Sequence, residues 1–187
     1  MKVAVFGSAF NPPTYGHLKI IESLIDVFDE VLVVPCYSHN FGKKMIDYND
    51  RVEMAKILIS HLKDNVKVST IESVIFKKEV SRTYLLLKYL KKENPENDYI
   101  FVCGFDNAAE ENWKKFYNYE LIDKEFGKYV IPEGTSEVRS TIIRNKIKSN
   151  ESAEGLTKPE IIKYINDNGI IFWYNIVTNS IIMYDKI

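Results

Sequence analysis

Apolar and polar positions alternate between two rhythms along this chain. Short β-rich runs at Lys2–Phe6, Glu30–Pro35, Asn65–Ile71, Tyr99–Cys103 and Tyr129–Pro132 read as buried strands. Between them the spacing becomes helical. Leu18, Ile21, Leu24, Ile25 and Phe28 share one face of a predicted helix over His17–Phe28. Val52, Ala55, Ile57, Leu58 and Ile59 lie mostly inward on another, over Asp50–Leu62. A Leu- and Tyr-rich helix over Thr83–Glu93 stops at Asn94-Pro95. Gly104 to Asn107 reads as a turn, followed by a helix carrying Trp113 and Phe116.

Strands alternating with helices predict an α/β fold, a Rossmann-like doubly wound parallel sheet with right-handed crossovers. Ligands in such sheets bind beyond the carboxyl ends of the strands, near the point where strand order reverses. A domain over 1–170 is expected, closing with a short helical part. There Thr157-x-x-Glu160 has the spacing of a capping box, with Pro159 in the first turn. The remaining 171–187 form an aromatic extension that reads as a β-hairpin with a polar turn at Thr178-Asn-Ser180. A lone hairpin is marginal in water, so it should dock on a sheet edge or on a second copy of the chain, which leaves a homo-oligomer open.

Composition narrows the classes. The 187 residues are 45% hydrophobic, enough for a substantial core, and the net charge of −1 argues against a general nucleic-acid binder. Cys36 and Cys103 end apolar runs and read as buried thiols, and no Cys/His spacing suggests zinc. The first residues read as a strand rather than a signal peptide, and no run approaches a membrane span. A cytoplasmic protein is expected.

The chemistry concentrates in two segments. In the first, a strand runs into Gly7-Ser8-Ala-Phe10-Asn-Pro-Pro-Thr14-Tyr-Gly16-His17. Gly7 and Gly16 let backbone approach a ligand, and Thr14 and His17 sit where a helix begins. Unpartnered N–H groups and a positive dipole end make such a place attractive to phosphate. The second segment, Val138-Arg139-Ser140-Thr141-Ile-Ile-Arg144, again opens a helix with hydroxyls and adds a guanidinium one turn on. That combination suits a polyphosphate tail. A capped surface helix is the plainer alternative for this second segment taken alone.

The first segment resembles the (His/Thr)-x-Gly-His signature of the nucleotidyltransferase α/β-phosphodiesterase superfamily, in the longer form of nicotinate or nicotinamide mononucleotide adenylyltransferases. Thr14 stands where many of those enzymes carry His, and Asn11 where Asp is common. The second is similar to the superfamily's Ile-Ser-Ser-Thr-x-(Ile/Val)-Arg signature, with Arg139 replacing its first Ser. Gly104-Phe-Asp106-Asn-x5-Trp113 resembles the Gly-x-Asp…Trp segment, in which the Asp supports nucleotide binding and the Trp stacks on the pyridine ring. Trp113 is equally readable as a packing anchor.

The resemblance implies adenylyl transfer from ATP to nicotinate or nicotinamide mononucleotide, with His17, Thr14 and Arg144 as the catalytic group. It implies ATP contacts at Gly7, Ser8, Phe10, Gly16, His17, Gly104, Asp106, Ser140, Thr141 and Arg144. Mononucleotide contacts are implied at Lys43, Lys44, Arg51, Thr83 and Trp113, the lysines lying in a loop with His39. Mg²⁺ is expected on the phosphates rather than on protein ligands. Rival readings are a phosphopantetheine adenylyltransferase, a cytidylyltransferase, or a nucleotide-sensing module without turnover.

Overall fold

The computed structural model describes residues 1–38, 45–77, 80–135 and 138–170. Five strands, β1 (Lys2–Ser8), β2 (Glu30–Pro35), β3 (Val66–Val68), β4 (Asp98–Gly104) and β5 (Lys128–Ile131), form one parallel sheet in the order β3-β2-β1-β4-β5. Every pairing is parallel, from Val3 opposite Glu30 to Gly104 opposite Ile131. The order reverses between β1 and β4, which places the expected ligand crevice at Gly7, Ser8 and Gly104.

Alternation along β1 assigns each side chain to one of two cores. Ala4 and Phe6 pack with α1 (Tyr15–Leu24), α2 (Tyr48–Ile59) and α9 (Pro159–Asp167). Val3 and Val5 face α3 (Ile71–Ile75), α4 (Thr83–Glu93) and the 105–126 segment. Helices thus cover both faces, and the strands, buried on both sides, need the continuous apolar runs seen in the sequence. That segment holds two single turns, α5 (Phe105–Ala108) and α6 (Glu110–Trp113), and then α7 (Tyr119–Glu125). The remaining helix, α8 (Ser140–Lys148), follows β5.

Several boundaries differ from expectation. β3 is shorter than the Asn65–Ile71 run, because Ser73 and Phe76 donate their N–H groups back to Thr70 and Glu72 and turn the chain into α3. The helix expected over His17–Phe28 begins at Tyr15 and ends at Leu24. The helix expected to carry both Trp113 and Phe116 ends at Trp113.

The Thr157–Glu160 capping box does not form. The N-cap of α9 is Lys158, Pro159 opens the helix, and the buried Thr157 Oγ1 has no hydrogen-bond partner. The 171–187 hairpin and the domain division it implied lie outside the described residues. No helix among the described residues is long and apolar enough to cross a membrane.

Candidate active site

Thr14 caps α1 reciprocally. Its hydroxyl accepts the His17 backbone N–H at 3.2 Å, and its own N–H donates to His17 Nδ1 at 3.1 Å. A backbone N–H can only donate, so Nδ1 carries no proton and the neutral ring holds its proton on Nε2. That Nε2–H reaches Ser8 Oγ at 3.0 Å. Burial lowers the imidazole pKa to about 4, so His17 is a neutral donor at physiological pH. Phe10, itself fully buried with φ +47°, lies beneath the imidazole at 4.8 Å between centroids.

The second motif closes on the first. Thr14 Oγ1 lies 3.0 Å from Val138 O and 2.8 Å from His17 Nδ1, its single proton shared between these two acceptors, while Ser140 Oγ donates to Pro12 O at 2.7 Å and Arg144 Nη1 to Asn11 O at 2.7 Å. Arg144 Nη2 also donates to Thr141 Oγ1 at 2.9 Å, which orients the guanidinium along the first turn of α8. Arg139, the N-cap of α8, makes no side-chain capping bond. The amino ends of α1 and α8 therefore meet at the carboxyl edge of β1, both offering partial positive charge.

Beside this cradle a cavity of about 630 Å³ runs from Gly7, Ser8 and Ala9 to Arg82, Thr83, Phe116 and Tyr117. A Cβ on Gly7 would meet only the Phe101 ring, at 3.9 Å, so glycine there widens the cavity and relieves no clash. Cys36, Ser38, Glu72 and Ser81 line another part of the wall. Ser38 and Ser81 exchange N–H···Oγ bonds at 3.1 and 3.2 Å, and Glu72 Oε2 accepts the Tyr37 N–H at 2.8 Å. Burial raises the Glu72 pKa, opposed by Ser81, the Tyr37 N–H and Arg51. Burial and the neighbouring Glu72 push the Cys36 thiol up to about 11, which leaves it a poor nucleophile.

Thr14, His17, Ser140, Thr141 and Arg144 come together as the sequence suggested, with Ser8 beside them. Gly16 is buried in the first turn of α1, and Gly104 ends β4. Four residues sit away from the places that their expected roles suggest. Arg51 does not face the cavity. It is 1% exposed, and its guanidinium donates to the carbonyls of Ile46, Ala9, Cys36 and Tyr37. It ties the loops after β1 and β2 together from below.

Trp113 is 4% exposed, because the chain between α6 and α7 turns it inward onto Phe101 and Phe116. Its Nε1–H bonds Asp123 at 2.8 Å, and Lys128 lies over the ring. Phe10 is fully buried, with its ring against His17, and does not line the cavity. Asp106 turns outward to Arg139 at 3.2 Å, and Asn107 takes its place on the cavity wall. His39, Lys43 and Lys44 lie outside the described residues. Sequence reasoning missed Arg82 and Tyr117. The only available signal was a cation directly preceding Thr83.

With this geometry in hand, known proteins provide the comparison. The family model for cytidylyltransferase-like proteins matches residues 5–146. A Myxococcus xanthus protein named a probable nicotinate-nucleotide adenylyltransferase is 30% identical over 183 residues, covering 91% of this chain and 94% of that protein. The crystal structure of a candidate nicotinate-nucleotide adenylyltransferase from Vibrio parahaemolyticus superposes with a TM-score of 0.75 at 34% identity, over 88% of this chain and 98% of that one. A Plasmodium falciparum nicotinic acid mononucleotide adenylyltransferase, solved with NaAD, shares the fold at a TM-score of 0.71 and 22% identity, over 90% of this chain and 96% of that one. The paired phosphate-type motifs at the sheet's reversal point thus have a family context: this chain belongs to the cytidylyltransferase-like family, in its nicotinate-nucleotide adenylyltransferase branch.

Proposed function

We propose that this protein joins ATP to nicotinate mononucleotide, giving the dinucleotide and pyrophosphate in NAD biosynthesis. The observation that carries the reading is the stitching of the two motifs by Thr14–Val138, Ser140–Pro12 and Arg144–Asn11. Those bonds bring a neutral imidazole, two helix amino ends and a guanidinium around one point. The names of the relatives supply the substrate pair.

The mononucleotide phosphate is already a competent nucleophile, so the site needs no general base. Its phosphate oxygen attacks the α-phosphorus of ATP in line, a new P–O bond forms, and the bond to the β-phosphate oxygen breaks. Catalysis then consists of placement and charge stabilisation. His17 Nε2–H, released from Ser8, would donate to an α- or β-phosphate oxygen. The amino end of α8, Ser140, Thr141 and Arg144 would hold the leaving pyrophosphate. Magnesium bound with ATP would supply charge neutralisation on the phosphates beside Ser140, Thr141 and Arg144. The donors around His17 are amides, hydroxyls and an imidazole, a set that suits phosphate oxygens rather than a bare cation.

The test is pyrophosphate release with ATP and each mononucleotide in parallel. Release with nicotinate mononucleotide, and much slower release with nicotinamide mononucleotide, is expected. Tight ATP binding with no pyrophosphate from either would replace this reading with a nucleotide sensor.

A further inference from the structure

One part of the cavity wall is built for an anion. Gly7 and Phe101 stand near the cradle. Phe116 packs on Phe101 at 5.9 Å, and Tyr117 follows it. Arg82 closes this wall, its guanidinium carbon 4.5 Å from the centroid of the Tyr117 ring. Arg82 is half-buried, and among the described residues no carboxylate lies within salt-bridge distance of it. It is the N-cap of the eleven-residue α4 and makes no side-chain cap, and Thr83 beside it lines the same cavity. Lys115, whose Nζ donates to Asn112 Oδ1 at 2.8 Å, adds a second cation to the wall, and the acid among the cavity's lining residues, Glu72, lies with Cys36 and Ser81 and accepts the Tyr37 N–H.

Ser8, the partner of His17, lines the same cavity, so a ligand whose phosphate sits at His17 and whose other end fills this cavity meets Arg82. Of the two pyridine mononucleotides, only the nicotinate form brings a negative charge. A carboxylate accepts from a guanidinium fork, whereas an amide would turn N–H donors toward donors already present. We infer that Arg82, held against the Tyr117 ring, pairs with the pyridine carboxylate and sets the preference for the acid over the amide. This rests on the adenylyltransferase reading above and assigns its substrate selectivity to a residue which that reading did not include. The ring holds the guanidinium in place, which lowers the ordering cost of forming the pair.

Arg82→Gln keeps the stem and some donors and removes the charge. Its kcat/KM for nicotinate mononucleotide should fall about 10- to 100-fold, chiefly through KM, as loss of a charge-assisted pair predicts. Values for nicotinamide mononucleotide and KM for ATP should stay within about twofold. Arg82→Lys should recover part of the loss. Tyr117→Leu, which frees the guanidinium, should show a weaker change in the same direction and keeps the question open to experiment should Arg82→Gln fold poorly.

Calorimetric binding of both mononucleotides to the wild type separates the two levels of the claim. Selective binding of the acid without pyrophosphate release sinks the turnover reading and leaves Arg82's role standing. Equal binding of acid and amide overturns that role even where pyrophosphate is released. Equal losses for both substrates in folded Arg82→Gln would also overturn it, because they would mark a contact to the shared phosphate or ribose.

Discussion

The cradle proposed for phosphate (the phosphate end) and the cavity wall proposed for the pyridine ring (the ring end) are built on different principles. The phosphate end comes from two contiguous motifs, in which the capping bonds of Thr14 and His17 and the first turn of α8 fix most groups locally. The ring end is assembled from single residues of separate segments, Arg82 and Thr83 from the start of α4, and Phe116 and Tyr117 from the chain between α6 and α7. A local motif carries its own geometry, so matching residue types implies matching placement. At the ring end, side-chain direction depends on what each segment packs against. Arg51 and Trp113 show the consequence, since both sit where a motif would place them but point into the protein interior.

Arg51 offers the hardest test of that contrast. Arg51→Met keeps much of the volume and removes donors from four carbonyls, those of Ile46, Ala9, Cys36 and Tyr37. A buried unsatisfied group costs about 1–3 kcal/mol, so a loss of roughly 4 kcal/mol in unfolding free energy is expected, allowing for partial relaxation. Urea denaturation measures it. Unchanged stability with a raised KM for the mononucleotide alone would return Arg51 to the ligand and erase the difference between the two ends.

His17→Ala tests the phosphate end directly. It removes a preorganised donor, for which a loss of about 10²–10³ in kcat/KM is expected, with ATP affinity changed far less. Single-turnover measurements with saturating ATP separate the two effects. A loss confined to ATP binding would make His17 a ground-state contact.

The same residue gives a pH signature. The unfolded chain protonates this imidazole near 6.5 and the folded chain only near 4, because burial disfavours the charged ring. Between those values the unfolded state holds more proton, so stability falls as pH drops through that window and is untouched above it. The contribution is on the order of 3 kcal/mol. Glu72, whose pKa burial raises, works in the opposite direction. The readout is therefore the difference in acid sensitivity between wild type and His17→Gln, which share Glu72. Identical pH profiles would mean that the imidazole is not held neutral by burial.

Much of this was legible beforehand. Alternating apolar runs announced the doubly wound sheet, and the bounds of β2 and α4 were readable to the residue, because Pro35 and Asn94-Pro95 punctuate them. Gly-x-x-Phe through His17 located the cradle. What escaped reading depended on contacts distant in sequence. Thr157 has the spacing of a cap, yet the helix starts one residue later at Pro159, whose fixed φ suits the first helical position. Arg82 gave no periodic or motif signal, and its place in the cavity comes from Tyr117, thirty-five positions away.

The smallest effect is expected at Trp113, and it decides how far the family's ring-stacking role carries over to this chain. Trp113→Phe keeps an aromatic face against Phe101 and Phe116 and loses the Nε1–H bond to Asp123 and part of the aromatic surface beside Lys128. Together these should cost about 1–2 kcal/mol in stability. An anchor behind the wall leaves KM for the mononucleotide within about twofold. A tenfold rise in that KM with stability intact would mean that the indole leaves Phe101 to meet the pyridine ring, at the cost of the Asp123 bond. In that event the ring end would be assembled only when substrate arrives, while the phosphate end stands ready without it.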